Sequence, residues 1–345
     1  MWNLYVSVSI WSNQKTMKHI LREGKSSDKQ KWRKNFKKNG ELKVDWTRFL
    51  SGMPANDYIF QSESYENQIE RARQIIRDAD SILIGAGAGL STAAGLTYSG
   101  KRFQDNFREF IESYGIQDMY SAGFYPFPSE EARWGYWSKH VYINRIKPMA
   151  MPLYQKLFEL VKEKNYFVLT TNVDHQFQKA GFADTRIFAT QGDYGLIQCA
   201  KGCHHKTYDA TAMFSQMNQA RTGVVIPSHM VPRCPVCGGP MAMNLRCDQY
   251  FVEDDAWHES ANHYGEYLEN NLAGNTLLLE LGVGFNTPTI IRFPFEKMMR
   301  EHQNLKFIRM NLEEAVVPES FGNRAIGMNG DIDKAIRDIS FSLKK

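Results

Sequence analysis

Ser81-Ile82-Leu83-Ile84-Gly85-Ala86-Gly87-Ala88-Gly89-Leu90-Ser91 is the stretch from which the rest of the chain is read. Its first half is a short apolar run, the pattern of a strand buried on both faces in a parallel sheet. Its second half is a glycine loop, followed by Gly95. Glycines let the backbone turn sharply and approach a pyrophosphate closely, and the following helix would present free N–H groups and a positive dipole end. Ser91 and Thr92 could cap that helix or touch phosphate. The spacing is not the G-x-G-x-x-G of common dehydrogenases, and no Walker lysine follows, so a P-loop is not expected. A tight turn in an α/β protein would use the same glycines.

Working outward, Ile69, Ala72, Ile75, Ile76 and Ala79 recur at helical spacing just before the strand. Further helix-then-strand pairs follow. Residues 153–162 lead to 167–170, 262–272 to 276–281, and 297–302 to 305–310. Strands alternating with helices give βαβ units and a doubly wound sheet. Two segments interrupt the rhythm, an aromatic-rich one at 101–150 and one holding the cysteines at 196–246. The expectation is an α/β fold: a Rossmann-like parallel sheet with an inserted helical segment and a small zinc-binding module. The body would comprise 61–100, 151–195 and 247–345, preceded by an extension, 1–60.

The chain has 345 residues and a net charge of +4, long enough for about two domains. The charge is unevenly placed. Residues 1–50 hold 12 Lys/Arg and 4 Asp/Glu, leaving 30 and 34 for the remainder, so +8 sits at one end and −4 elsewhere. The main body therefore gives no electrostatic reason to expect a nucleic-acid enzyme. Basic residues 25–38 and Trp2, Trp11, Trp32 and Trp46 could bind RNA or an acidic partner, although a solvated extension explains them equally simply. Met17 and Met53 are alternative starts, and a chain beginning near Ser62 is expected to retain NAD binding and catalysis. Residues 1–10 are mildly apolar, but their positive charges follow instead of preceding, and no small-residue cleavage site is present. No run approaches the ~18 apolar residues of a membrane helix. A cytoplasmic monomer is the expectation.

All five cysteines lie between Cys199 and Cys247. Clustering in a large chain points to metal ligands, whereas a disulfide scaffold would spread them along a small one. Cys199-x3-Cys203 and Cys234-x2-Cys237 can each form a knuckle, and together they give a four-thiolate zinc site. Four protein ligands leave no place for water, so the metal is expected to be structural. His204, His205 and Cys247 are spare candidates.

The glycine loop GAGLSTAAG, the Asn172-Val173-Asp174 motif and a four-cysteine insert in a Rossmann sheet resemble the sirtuin family. Gly282-Val283-Gly284 stands where that family has a Gly-x-Ser turn. Asn311 stands where it contacts the adenosine ribose, and Gly330-Asp331 where it contacts adenine. The resemblance covers residues 65–340. It implies NAD as co-substrate, with Asn172, Asp174 and Gln191 as catalytic residues. The cofactor-binding set it implies is Gly87, Ala88, Gly89, Ser91, Tyr98, Gln191, Gly282, Gly284, Asn311 and Asp331.

Three departures bear on function. Where sirtuin deacylases have Pro-Asp-Phe-Arg, this chain has Thr97-Tyr98-Ser99-Gly100; their Thr-Gln-Asn-Ile-Asp is Thr170-Thr171-Asn172-Val173-Asp174; and their catalytic His-Gly is Gln191-Gly192. Sirtuins break the bond between nicotinamide and ribose, with positive charge developing on the ribose. In deacylation a histidine then activates a ribose hydroxyl. An amide does not accept a proton at neutral pH, and general base catalysis is worth about 10²–10⁴-fold. Gln191 should cripple that route. Transfer of ADP-ribose to a carboxylate needs no hydroxyl activated, and Gln191 can still orient the ribose diol.

This combination resembles the macrodomain-linked branch of sirtuins, protein ADP-ribosyltransferases whose target is a lipoyl-carrying protein related to the glycine cleavage H protein. The resemblance implies that protein partner and a functional link to a macrodomain hydrolase; hydropathy and charge give no reason to expect a membrane or nucleic-acid partner. The alternatives are a weak deacylase or delipoylase, and an NAD- or ADP-ribose-binding protein without activity. Each residue also has a plainer use. Asn172 could cap a turn, Asp174 a helix, Tyr98 could stack or fill space, and Gln191 could be a relic. His175 could substitute for the missing base or be a surface neighbour. Residues 124–137 could shape a lipoyl groove or form core.

Overall fold

The computed structural model describes residues 58–285 and 288–341. The first element is strand β1 (Tyr58–Ile59), and helix α1 (Tyr65–Asp78) follows it. Ser64 starts that helix, its side chain accepting from the Asn67 N–H, as an N-cap serine does. Next come β2 (Ser81–Ala86) and α2 (Ala88–Ala93). The first insert holds α3 (Lys101–Tyr114), α4 (Met119–Ala122) and α5 (Glu130–Val141), which runs into a π-helical turn at Tyr142–Ile146. Then follow α6 (Pro152–Val161), β3 (Asn165–Thr170), α7 (Gln176–Lys179) and β4 (Ile187–Ala189). The second insert carries β5 (Gly192–Cys199), β6 (Thr207–Asp209), α8 (Thr211–Ala220) and β7 (Met241–Leu245). The chain closes with α9 (Asp255–Asn271), β8 (Thr276–Leu281), α10 (Arg292–Glu301), β9 (Lys306–Asn311), β10 (Val317–Pro318), β11 (Ala325–Asn329) and α11 (Ile332–Phe341).

The main sheet has the order β11-β9-β8-β2-β3-β4, and every neighbouring pair is parallel. From β2 the chain winds outward through β3 and β4. It then crosses to β8 on the other side of β2 and winds outward again. The order reverses between β2 and β8, and at such a switch point the loops leaving the two strands part and open a crevice. Alternation along the strands loads both faces. Ile82, Ile84, Leu277 and Leu279 pack under α1, α6 and α11. Leu83, Phe167, Leu278 and Phe307 pack under α9 and α10. Each fully buried aliphatic or aromatic side chain contributes about 1.5–3 kcal/mol, so the sheet is the rigid frame on which the loops stand.

The two inserts, separated along the chain by α6, β3, α7 and β4, pack into one lobe. Phe103, Phe107 and Phe110 of α3 and Trp134 and Tyr136 of α5 share a core with Phe214 and Met217 of α8 and with Ile197 of β5. The lobe has its own antiparallel sheet, β6-β5-β7. Residues 124–137 divide: Trp134 and Tyr136 are fully buried in this core, whereas Phe124 is 61% exposed.

Of the basic extension, residues 1–57 lie outside the described residues, and 58–60 belong to the body. β1 pairs antiparallel with β10. Tyr58 donates to Glu296 Oε2 at 2.5 Å, inside a charged cluster sunk in the apolar frame. Glu280 and Arg309 face each other across β8 and β9 and form a two-pronged pair at 2.6 and 2.9 Å. Arg309 also donates to Glu296 at 2.9 Å and to the Val316 carbonyl. Such a pair is tolerated in a core only when every prong is satisfied, and Tyr58 supplies one partner. Among the described residues no helix is long and apolar enough to cross a membrane.

Candidate active site

Every strand of the parallel sheet sends a sequence-selected residue from its C-terminal end. β2 leads to Gly87, Ala88, Gly89 and Ser91, β3 to Asn172 and Asp174, and β4 to Gln191. β8 leads to Gly282 and Gly284, β9 ends on Asn311, and β11 leads to Asp331. Tyr98 follows α2.

At the switch point two glycine turns meet backbone to backbone. Gly89 N–H donates to the Gly282 carbonyl at 2.9 Å, and Gly87 N–H to that of Leu281 at 3.0 Å. Gly282 has φ +63°, and a Cβ there would lie 2.2 Å from the Leu90 nitrogen. A Cβ on Gly87 would lie 2.7 Å from the Gly282 carbonyl oxygen. These glycines are required by the contact between the turns, which keeps the crevice floor thin. Gly87 occupies the N-cap of α2, so neither Ser91 nor Thr92 caps that helix.

Ser91 has another task. Its hydroxyl, buried, donates to Asp174 Oδ2 at 2.5 Å and lies 2.7 Å from the Tyr154 hydroxyl. Tyr154 in turn accepts from Asn172 Nδ2 at 3.2 Å, and the same Nδ2 donates to the Gly87 carbonyl at 3.0 Å. A path of donors thus runs from Asn172 through Tyr154 and Ser91 to Asp174. Asp174 Oδ1 accepts from the Gln176 N–H at 3.1 Å, so it also opens α7. Burial raises the Asp174 carboxyl above its ordinary value, opposed in part by the bonds from Ser91 and Gln176. Tyr154 is fully buried on α6. In the sequence it falls on the apolar period of that helix, and nothing there distinguishes it from core.

Gln191 sits between β4 and β5, half-buried, held by its main chain: its carbonyl accepts from the Arg246 N–H at 3.1 Å. Gly192 has φ +93°, and a Cβ there would lie 1.9 Å from the Asn244 carbonyl oxygen; only glycine fits between Gln191 and the lobe's sheet. Next along, Asp193 is bonded to His175 Nδ1 at 2.7 Å, to Arg145 Nε at 2.5 Å and to the Gly195 N–H at 2.6 Å. Burial alone would raise the Asp193 carboxyl, but the His175 bond and the Arg145 and His175 charges outweigh it and hold it low. Tyr98, half-buried, joins its hydroxyl to that of Tyr194 at 2.7 Å. Its ring stands edge-on to His140, which burial and the Arg102 charge push down to about 3.

At the other wing, Asn311 Nδ2 donates to the Val283 carbonyl at 3.2 Å, and its Oδ1 accepts from the N–H groups of Glu313 and Glu314. Asp331, exposed, accepts from the Asp333 N–H at 2.9 Å and starts α11. Gly330, Asp331, Met310 and Met328 line a cavity of about 300 Å³. This opening lies at the strand ends, where the Gly330 N–H donates to the Asn311 carbonyl at 3.0 Å.

The four cysteines converge in the lobe. All four sulfurs lie within 4.8 Å of one another. Cys199 and Cys237 are 3.7 Å apart, as are Cys203 and Cys234. Tetrahedral Zn–S bonds of about 2.3 Å imply sulfurs about 3.8 Å apart, whereas a disulfide needs about 2.05 Å. The donor set therefore fits one zinc ion and could hold it structurally. His204 Nδ1 approaches Cys203 Sγ at 3.1 Å; Cys247 is not in the cluster.

A protein from Staphylococcus aureus named protein ADP-ribosyltransferase is 37% identical over 270 residues, covering 78% of this chain and 86% of that protein. The chain belongs to the sirtuin family. It is an enzyme of the NAD-dependent ADP-ribosyltransferase type, with NAD as co-substrate. A protein from Fusarium oxysporum f. sp. cubense named probable bifunctional ADP-ribose hydrolase/ADP-ribosyltransferase is 32% identical over 287 residues, 79% of this chain but 47% of that longer protein. A Campylobacter jejuni NAD-dependent protein deacylase matches 124 residues at 35% identity, 35% of this chain. No protein-family model matches. Among solved structures, a Sir2 homologue in complex with NAD superposes with a TM-score of 0.55 at 13% identity, covering 84% of this chain and all of that one. This last likeness speaks for the sirtuin fold alone.

Proposed function

We propose that this sirtuin transfers ADP-ribose from NAD to a protein, belongs to the macrodomain-linked branch, and acts on a lipoyl-carrying protein. The carrying observation is the Gln191-Gly192 pair beyond β4, where a deacylase would hold its base, beside an intact Asn172-x-Asp174 motif joined to the glycine loop. The relatives from S. aureus and F. oxysporum support the transferase half, and the hydrolase half of the fungal name supports the macrodomain link.

On this reading NAD lies across the switch point. Gly87, Ala88, Gly89, Gly282 and Gly284 leave room for its phosphates, with Asn311 and Asp331 at the adenosine end. NAD supplies an activated ribose whose bond to nicotinamide can break. Asn172 and Asp174 hold the nicotinamide end, and their shared hydrogen-bond path prevents either from moving alone. Gln191 orients the ribose diol without taking a proton, and Tyr98 closes the pocket. The acceptor attacks the anomeric carbon, and the bonding pair leaves with nicotinamide. A carboxylate acceptor arrives deprotonated and needs no base. The zinc site holds the lobe that faces the acceptor.

The test uses the full chain with labelled NAD and, separately, a lipoylated carrier protein and an acylated lysine peptide, both read by intact mass. One ADP-ribose added to the carrier, with the peptide unchanged, is the expected result. Acyl loss from the peptide would show that Gln191 does not block deacylation and would overturn the reading.

A further inference from the structure

We infer that His175 is a positioning residue: through Asp193 it latches the Asn172–Asp174 loop to the Gln191 loop and to the aromatic lobe. The inference rests on the transferase reading but concerns how the two loops are held, whatever the acceptor.

His175 is, among the described residues, the only one other than glycine with positive φ, 63°. A left-handed conformation is costly for an imidazole-bearing residue and persists where the surroundings over-determine it. What holds it is Asp193, whose Oδ2 accepts from His175 Nδ1 at 2.7 Å. Asp193 is two residues beyond Gln191, and its other oxygen accepts from Arg145 Nε at 2.5 Å. Arg145 lies in the π-helical turn of the lobe, and its Nη1 donates to Thr211 at the start of α8 at 3.0 Å. One carboxylate thus joins the Asn172–Asp174 loop, the Gln191 loop and the lobe. Two main-chain bonds run parallel to it, from the Tyr194 N–H to the Val173 carbonyl at 2.9 Å and from the Thr190 N–H to the Thr170 carbonyl at 3.0 Å, and Lys179 Nζ donates to the Pro148 carbonyl at 2.7 Å. These main-chain bonds hold the backbones of the two loops but fix neither the tilt of the Asn172–Asp174 loop nor its distance from the lobe, so without the latch Asn172 could turn relative to Gln191.

Two substitutions divide the backbone's demand from the hydrogen bond. Glycine accepts φ 63° at no cost but removes the donor. Asparagine is the side chain best suited to that region after glycine, and its amide can still donate to Asp193. Both variants should remain folded. Nicotinamide release from NAD without any acceptor is measured alongside transfer to the carrier, so failure of the acceptor reading would show in the wild-type transfer arm alone. His175→Gly is expected to lower kcat for nicotinamide release on the order of 10- to 100-fold, the penalty of misplaced reacting groups, assayed well below a melting temperature that the lost hydrogen bond lowers by only a few degrees. His175→Asn is expected to recover most of that loss. Wild-type rates in His175→Gly would overturn the inference. A His175→Asn enzyme as slow as His175→Gly would overturn it too, because the ring itself would then be needed.

Discussion

Asn172 and Asp174, two residues apart, are joined by hydrogen bonds that leave their loop and return to it: Asn172 Nδ2 to Tyr154, Tyr154 to Ser91, Ser91 to Asp174. The path crosses from β3 to α6 and to α2. It makes the motif and the glycine loop one unit. Removing its middle should therefore be felt at both ends. Tyr154→Phe keeps the buried ring and deletes one hydroxyl, at a cost of about 1 kcal/mol in stability. Transfer should fall further than that loss explains. Activity assayed well below the melting temperature checks it; wild-type activity would mean that the bond from Asn172 to Gly87 suffices.

Gln191 is held by its main chain, and among the described residues its side chain makes no hydrogen bond. Gln191→Ala should leave stability within about 0.5 kcal/mol and abolish transfer by releasing the ribose diol. Urea denaturation and a transfer assay on one preparation test both halves. Full activity would remove the orienting role and leave Gln191 as a relic.

Asp174 illustrates a conflict between stability and function. Its carboxyl is raised by burial, so the native state holds that proton more tightly than the unfolded chain does. Stability then declines as pH rises from the unfolded value, about 3.9, through the higher native one. Asp174→Asn removes the ionisation, and its amide can both accept from Gln176 and donate to Ser91. Melting temperatures from about pH 4 to pH 8 should show the variant gaining on the wild type as pH rises, while its transfer activity is lost. A constant gap across that window would show that Asp174 does not titrate there.

The strands are readable because parallel strands buried on both faces leave uninterrupted apolar runs, as at 81–86 and 276–281. The four-cysteine cluster is readable because a tetrahedral metal site demands close pairs of cysteines. Tyr154 is not, because a hydroxyl on the apolar period of a helix looks like packing until its partners from α2 and β3 are in place. Asp193 and Arg145 are 48 positions apart, and only the assembled lobe makes them a pair. The need for Gly282 is likewise tertiary, set by the nitrogen of Leu90. The merging of two inserts into one lobe follows from Phe103 meeting Phe214's cluster, a long-range contact that no local period encodes.

Cys199 and Cys234 are buried in that lobe's core, while Cys203 and Cys237 are exposed. Chelation should remove one zinc per chain and loosen the lobe while the parallel sheet persists. The near-ultraviolet circular dichroism contributed by Trp134, Trp137 and the lobe's tyrosines should be lost while the far-ultraviolet signal largely remains. Cys203→Ser should behave as the chelated protein does. A native mass unchanged by chelator would mean that the four thiols hold no metal.

The contribution of the first described residues is testable through Tyr58 and Gln61. Tyr58 supplies Glu296 with a hydrogen bond inside the charged cluster and has its own hydroxyl pushed up by burial and by that carboxylate. Gln61 donates to the Ala325 carbonyl and accepts from the Gly327 N–H, both at 3.0 Å, and so covers the edge of β11. A chain beginning at Ser62 loses both contacts, although the sequence reading treats 1–60 as an extension and begins the body at 61. Tyr58→Phe leaves a buried carboxylate oxygen short of a donor and should cost about 1–3 kcal/mol. Starting at Ser62 should cost more, because the β1–β10 pairing goes as well. A chain starting at Tyr58 is the reference for that comparison. Urea midpoints of the three proteins decide it, and equal midpoints for the two starts would show that β11 and Glu296 find other partners.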